Sequence, residues 1–538
     1  MTPQMAAWGP NPSGQGCLIP NPASLLLNVS SMLDTLRRCS LARGQAADVA
    51  APMIYQTGPK MLDRTRTKIV ITMGPACAKP EVFSQIVQTG ASVIRLNFSH
   101  GDLEQRKKFL DAARSIDAQP PLAFMGDVCG PKIRVGKVVN EGIPVRPGDS
   151  FVIQREPIVG CNGVISSNYP ALVDDVQVDQ KFLIDDGTIR AVVMEKKRDS
   201  VRCTVTQGGV ILSNKGINLP NTRLSIPSVT EKDWQDIDWA IANNLDYLAL
   251  SFVRTAADIQ QVRRYLDERR SDIDLIAKIE MPQAVDELDA ILEASDAVLV
   301  ARGDMGVEME LTAVPLIQKK IVAAAHDAGK PAIVATQMLQ SMVESPSPTR
   351  AEVSDVANAI LDGADAVMLS GETAVGKFPL EAVKVLRDIA EKTEHYVAQE
   401  HRQTLPPRLL QLSFHRTAAL AHGALSIARD VNARLVVVWS QAGGSARYLS
   451  KNRLPIPVVA LSTDAGAVRR MALYYGVTAK QAQIPAHFDD LPAMVDDLLQ
   501  KMGWAQMGDR VIIAAGAPLG TAGATNSLSI HTIGERVR

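Results

Sequence analysis

The sequence predicts an α/β protein built on a (β/α)8 TIM barrel, with a small inserted β-barrel lid domain and a C-terminal doubly wound α/β domain. Three observations carry this. Eight short apolar runs recur from residue 66 onward, each followed by a polar cluster and a helical stretch. One interval between runs is far too long for a β-α unit and reads as alternating β. After about residue 400 a second α/β pattern begins.

The eight runs are "KIVITMGP", "SVIRLNFSH", "PLAFMGDV", "YLALSFVR", "DLIAKIE", "AVLVARGD", "PAIVATQM" and "AVMLSGET". Continuous Val/Ile/Leu runs of this length suit strands buried on both faces. The stretches between them have helical spacing, as in "LDAILEAS" and "VPLIQKKIVAAAHDAGK", the latter closing on a glycine suited to a helix C-terminus. In such a barrel, chemistry sits at the C-terminal ends of the strands. Those ends carry Arg95, Asn97, Ser99, Asp127, Arg254, Lys278, Glu280, Arg302, Asp304, Thr336, Ser370 and Glu372. A ring of charged groups there is costly unless they pair with each other, a metal or a ligand.

The long interval runs from near Pro121 to near Asp246. It holds "DSFVIQREP", "KFLIDDGTIRAVVME" and "DSVRCTVTQGGV", with Asp186-Gly187 as a hairpin turn. Carried on a barrel loop, this domain is placed to close over the site. "GDVCGPKIRVG" is its entry hinge and "KGINLPNTRLSIPSVT" its return. In the C-terminal region "ARLVVVWS", "IPVVALST" and "DRVIIAAGAP" read as buried strands, with helices "AGAVRRMALYYG" and "LPAMVDDLLQKMG". The expected divisions are a poorly ordered extension over 1–61, the barrel over 62–130 and 229–401, the lid over 131–228, and the C-terminal domain over 402–538. The extension is rich in Pro, Gly, Ser and Asn. It lacks the marks of a secretory signal and makes a weak transit peptide. A mispredicted start competes with the targeting reading, since Met61 directly precedes the first structured motif, and the segment is assigned no function.

Composition narrows function. The 538 residues carry a formal net charge of −1, with no basic surplus for nucleic acid or an anionic membrane. No apolar run is long enough to span a bilayer. The six cysteines all lie at or before Cys203 with no C-x-x-C pair, which argues against zinc and for a reducing compartment. "GPKIRVGKV" is no P-loop: it has one residue too many between glycines, and Val138 replaces the hydroxyl residue.

Lys278 and Glu280 are two apart on a strand end and so point to one side. Alone they read as an ion pair. With Asp304 just past the next strand, the two carboxylates are expected to converge on a hard divalent cation, substrate oxygens and water completing the shell. Gly303 and Gly306 flank Asp304 and would let backbone N–H groups approach an anionic ligand. Arg350, in "SPSPTRAEVSDVANAI", is expected to make a structural ion pair.

The motifs "TKIVITMGP", "RLNFSHG", "GPKIRVG", "KGINLP", "KIE…LEASDAVLVARGDMG", "KPAIVATQMLQSM" and "PTRAEVSDVANAILDGADAVMLSGET" resemble those of the pyruvate kinase family over about residues 66–535. The resemblance implies phosphoryl transfer from phosphoenolpyruvate to ADP, giving pyruvate and ATP, the last step of glycolysis. It implies Mg2+ as cofactor, with Mn2+ as an alternative, and a cytoplasmic homotetramer. Lys278 matches the lysine that stabilises the moving phosphoryl group, and Arg95 the arginine on the phosphate. Glu280 and Asp304 match the magnesium ligands. Gly303, Asp304 and Thr336 match residues around the substrate carboxylate, Thr336 near the route of enolate protonation. Asn97, His100, Arg134 and Lys215 match nucleotide-side positions.

Two departures stand out. Many family members read D-T-K-G-P-E-I-R where this chain reads "DVCGPKIR". Those with glutamate use potassium, held by residues matching Asn97, Ser99, Asp127 and the carbonyl of Val128. Those with lysine are typically potassium-independent. Lys132 is therefore expected to replace the ion with a tethered charge, and K+ is expected not to be required. The family's effector loop reads "SQAGGSARYLS" here, keeping Ser440 and Ser445 but placing Ala442 where a hydroxyl is common. A phosphate could sit on Gly443, Gly444 and the following helix, and the effector is left open. Other metal-dependent barrel enzymes acting on pyruvate enolates would not need the lid or Lys215. A catalytically silent sensor would be favoured by loss of Lys278, Glu280, Asp304 or Thr336, and none is lost.

Overall fold

The computed structural model describes residues 65–399 and 407–535, apart from 140, 221 and 414. The reading of residues 1–61 falls outside them.

All eight apolar runs form parallel strands of one closed barrel: Lys68–Thr72, Ala91–Asn97, Ala123–Val128, Tyr247–Leu250, Asp274–Ile279, Ala297–Ala301, Ala332–Ala335 and Ala366–Leu369. The first strand closes the ring, pairing Lys68 with Ala366 on one side and Ile69 with Ala91 on the other. Period-2 alternation sorts the side chains. Val70, Val93, Met125, Ala249, Ile276, Leu299, Ile333 and Met368 fill the lumen, while Ile69, Ile71, Leu248, Leu250 and Val298 face the helices. Arg95, Asn97, Asp127 and Lys278 lie in the last residues of their strands, and the rest of the polar ring follows just beyond the strand ends.

The insert forms a six-stranded sheet and a two-stranded ribbon around a core that includes Phe151, Ile153, Phe182 and Val201. The expected hairpin joins Lys181–Ile184 to Ile189–Lys196 through a turn in which Asp185, Asp186 and Gly187 all have positive φ. Three strands were not legible: Ile143–Val145, Val164–Ser166 and Ile217–Asn218. At two or three residues they are too short to show a period. The lid's two hinges meet at the helix Glu231–Ala242, where Thr230 and Asp233 form a reciprocal cap and Asp233 Oδ1 also accepts from Gly130 N–H at 3.2 Å. Thr230→Ala is expected to cost about 1 kcal/mol, lowering the melting temperature by about 2 °C in a calorimetric scan.

The C-terminal sheet has five strands: Val477–Gln481, Val458–Ser462, Leu435–Trp439, Arg510–Ala515 and Ser527–Thr532 in spatial order. The last is antiparallel. The three inner strands are the ones legible in the sequence. The two edge strands have one open side and carry fewer apolar residues. "AGAVRRMALYYG" is α-helical only over Ala465–Arg470, then tightens to a 3-10 turn.

This domain docks on the N-terminal ends of the barrel strands. Lys451 Nζ reaches Asp365 at 2.5 Å with both side chains fully buried. Arg469 Nε pairs with Asp246 at 2.8 Å, and Lys68 Nζ donates to the carbonyl of Val477 at 2.6 Å. Leu473 and Tyr474 join the lumen cluster. One barrel face is thus covered by the C-terminal domain, and the opposite face carries the polar ring and the lid.

Candidate active site

The polar ring is a connected network at the C-terminal ends of the strands. Arg95 leaves the second strand and donates from Nε to Asp127 Oδ2 at 2.7 Å and from Nη1 to Thr72 Oγ1 at 3.0 Å. Lys278 Nζ lies 3.3 Å from Asp127 Oδ1, donates to Ser251 Oγ at 2.7 Å, and sits 2.9 Å from Glu280 Oε1. Glu280 Oε2 accepts from Phe252 N–H at 3.0 Å. Phe252 is held there at φ 55°, a conformation seldom found for a bulky residue.

Arg95, Asp127, Lys278 and Glu280 are at most 9% exposed, so their charges are felt nearly unscreened. Burial opposes ionisation of Asp127, but Arg95 and Lys278 outweigh it and hold its carboxyl below the ordinary value. Burial likewise works against the Lys278 ammonium, and Asp127 and Glu280 outweigh it, so the lysine stays charged. Glu280 goes the other way. Burial pushes its carboxyl up to about 7; Lys278 opposes this and Asp304 adds to it. Its Oε1 is ion-paired with Lys278 but, among the described residues, accepts no hydrogen bond of good geometry. A buried carboxylate oxygen left in this state suits an added cation.

Asp304 is exposed, on the short helix Arg302–Glu308. Thr336, at φ 70°, is a β-branched residue in the left-handed region, strain of about 1–3 kcal/mol that clusters at functional sites. Its Oγ1 accepts from Gly303 N–H at 2.6 Å, so that N–H, expected to face an anion, is engaged within the protein. Gly306 has a packing reason: a Cβ there would lie 3.0 Å from Leu311 Cδ1. Arg302 braces the strand end, donating to Asp355 at 2.6 Å and to the carbonyl of Thr336 at 2.8 Å. Arg350 is exposed and makes no ion pair among the described residues, contrary to expectation.

The structure does not gather the remaining candidates into this network. Asn97 Oδ1 accepts from Ser99 N–H at 3.0 Å, and the carbonyl of Val128 accepts from Ser251 Oγ at 2.7 Å. His100 is exposed. Arg134 and Lys215 lie side by side at the lid hinges, Val135 N–H donating to the Lys215 carbonyl at 2.9 Å. Lys215 Nζ pairs with Asp185 of the lid at 2.9 Å. Lys132 has an exposed side chain, and Asp127 takes Arg95 and Lys278 as its partners instead. In the C-terminal domain, Gly443 has φ 87° and precedes the helix Gly444–Lys451. Ser440 Oγ accepts from Ala446 N–H at 3.1 Å, and Ser445 Oγ meets Thr525 Oγ1 at 2.5 Å. Ser251, Thr72 and Glu308 also belong to the site, although no charged strand-end pattern marks them in the sequence. Ser251 directly follows an apolar run, the one signal that could have flagged it.

Such a barrel, with fixed cations and carboxylates around an open strand end, defines an enzyme that works by electrostatics on an anionic reactant. Comparison with known proteins specifies it. Residues 64–383 match the model of the pyruvate kinase barrel domain, and 418–531 that of the pyruvate kinase alpha/beta domain. A pyruvate kinase of Geobacillus stearothermophilus is 40% identical over 477 residues, covering 88% of this chain and 81% of that protein. One from Mycobacterium tuberculosis H37Rv is 39% identical over 472 residues, covering 87% and 99%. A crystal structure of a pyruvate kinase from Cryptosporidium parvum superposes with a TM-score of 0.80 at 32% identity, covering 90% of this chain and all of that one. The chain belongs to the pyruvate kinase family.

Proposed function

We propose that this protein transfers the phosphoryl group of phosphoenolpyruvate to ADP, with Lys278 and Arg95 as the fixed cations, Glu280 and Asp304 as ligands of Mg2+, and no need for K+. The observation that carries the reading is the buried Arg95–Asp127–Lys278–Glu280 chain ending on an underused carboxylate oxygen. Phosphoryl transfer asks a protein for positioning and positive charge, with little covalent chemistry. Asp127 aligns Arg95 and Lys278 from opposite sides, so both cations are oriented before substrate arrives. Charges held in place this way cost no reorganisation as negative charge shifts toward the departing enolate oxygen. Mg2+, when bound, supplies Lewis-acid charge to substrate oxygens and to the enolate. Gly303, Asp304 and Thr336 bound the substrate carboxylate, with the Thr336 hydroxyl on the proton's route to the enolate. Asn97, His100, Arg134 and Lys215 form the nucleotide side, and lid closure brings the last two toward it.

Lys132 is read as the built-in monovalent cation. It lies beyond the Gly130-Pro131 hinge, on the lid side, so lid movement alters its distance from Asp127. The oxygens of the matching potassium site already have partners at Asn97, Asp127 and Val128. The loop from Ser440 through Gly443, Gly444 and Ser445 remains the candidate effector cradle. A cytoplasmic homotetramer belongs to the same proposal, the assembly being tested by sedimentation. Among the described residues no helix is long and apolar enough to cross a membrane.

Titration with Mn2+, followed by the paramagnetic signal of the free ion, tests the cation site. Glu280→Gln is expected to weaken binding at least about tenfold while the protein stays folded. Affinity in the parent protein is expected to rise with pH between 6 and 8, because Glu280, pushed up to about 7, must lose its proton to ligate. Unchanged Mn2+ binding in Glu280→Gln would refute the assignment.

A further inference from the structure

Glu308 ends the helix that carries Gly303 and Asp304. It is 5% exposed and four residues from Asp304, hence on the same helical face. One of its oxygens accepts from Asn218 Nδ2 at 2.7 Å. The other, Oε2, is buried with no hydrogen-bond partner among the described residues. Asn218 belongs by its backbone to the lid: Ile217–Asn218 pairs with Leu183 and Ile184, and Ile217 N–H donates to the Ile133 carbonyl at 2.8 Å. Lys215 lies three residues upstream. A side-chain hydrogen bond between residues 90 apart in sequence therefore joins the lid's exit strand to the helix bearing Asp304.

A half-satisfied buried carboxylate is costly, and more so where Glu280 and Asp304 also act on its charge. Positive charge delivered to Glu280 and Asp304 relieves all three. Among the described residues no three His, Cys, Asp or Glu groups converge closely enough to hold a metal by themselves, so Glu308 works through Asn218 and not as a ligand.

We propose that Glu308 is a positioning residue that couples divalent-cation binding at Glu280 and Asp304 to the setting of the lid, through its hydrogen bond to Asn218. This rests on the reading of Glu280 and Asp304 as cation ligands. By reciprocity, whatever the cation does to order the lid's exit strand, that strand does for cation affinity.

The test uses the full-length protein, Mn2+ and no substrate, with amide hydrogen exchange read over residues 215–220. Mn2+ is expected to slow exchange there about tenfold in the parent protein. In Asn218→Ala and Glu308→Ala the slowing should fall below about twofold, while Glu308→Gln, which keeps an acceptor for Asn218, should retain it. Asn218→Ala should also raise KM for ADP about fivefold or more with a smaller change in kcat. Equal slowing in the parent and Asn218→Ala, or none in the parent, would overturn the link. If Glu280→Gln binds Mn2+ as tightly as the parent, the cation reading itself fails and the link falls with it. If Glu280→Gln loses Mn2+ while Asn218→Ala behaves as the parent, only the link fails.

Discussion

Lys278→Met is expected to lower kcat by about 10^3-fold or more, with the protein still folded. The residue is 9% exposed and its ammonium touches Asp127, Ser251 and Glu280. Methionine fills similar space but leaves Arg95 as the only fixed cation on Asp127. Two carboxylates then face the incoming phosphate with one positive charge fewer. Breaking a buried ion pair from one side destabilises locally, but the barrel's other face and the C-terminal domain's contacts at Asp365 and Asp246 are untouched. A circular-dichroism melt alongside initial rates separates the two effects. An unfolded variant would leave the rate uninformative, and Lys278→Gln, which restores a hydrogen bond to Ser251, serves in its place. Full activity in a folded Lys278→Met or Lys278→Gln protein would contradict the mechanism.

Lys132→Glu is the second large effect. The common hinge of the family carries a lysine where this chain has Cys129, a glutamate at 132 and a bound potassium ion, a total of one positive charge. Here the hinge carries Cys129 and Lys132, and on the proposed reading Lys132 supplies that charge alone. The substitution reverses a charge without restoring the lysine at 129, so activity in tetramethylammonium buffer is expected to fall about 10^2-fold or more, with K+ recovering part of it. The double variant Cys129→Lys with Lys132→Glu rebuilds the common hinge and should recover more of it with K+. Initial rates at fixed ionic strength read both. A Lys132→Glu enzyme as active as its parent without K+ would show that Lys132 carries no catalytic charge.

The sequence made the barrel legible because its strands are buried on both faces: "AVLVARGD" can hardly be anything but a strand that ends at a polar site. Lys278 and Glu280 were legible for the same reason, since strand alternation puts them on one side. The edge strands Val477–Gln481 and Ser527–Thr532 were not, because half-exposed strands need no continuous apolar run. The Asn218–Glu308 bond was invisible because neither residue stands in a local pattern with the other. Lys132 shows a different limit. Its identity points to a charge role at Asp127, yet the structure pairs that carboxylate with Arg95 and Lys278 and leaves Lys132 exposed, a choice of partners that no local pattern encodes. Gly303 and Gly306 looked alike as glycines beside Asp304, but one N–H is held by Thr336 and the other glycine makes room for Leu311.

Pyruvate formation from phosphoenolpyruvate, ADP and Mg2+, run in tetramethylammonium buffer with and without K+, tests the central claim most directly. Equal rates in both are expected if, as proposed, Lys132 takes the place of the monovalent cation. Activity only with K+ would keep the reaction and contradict the built-in cation, and no activity in either buffer, with candidate sugar-phosphate and nucleotide effectors also supplied, would contradict the proposed reaction.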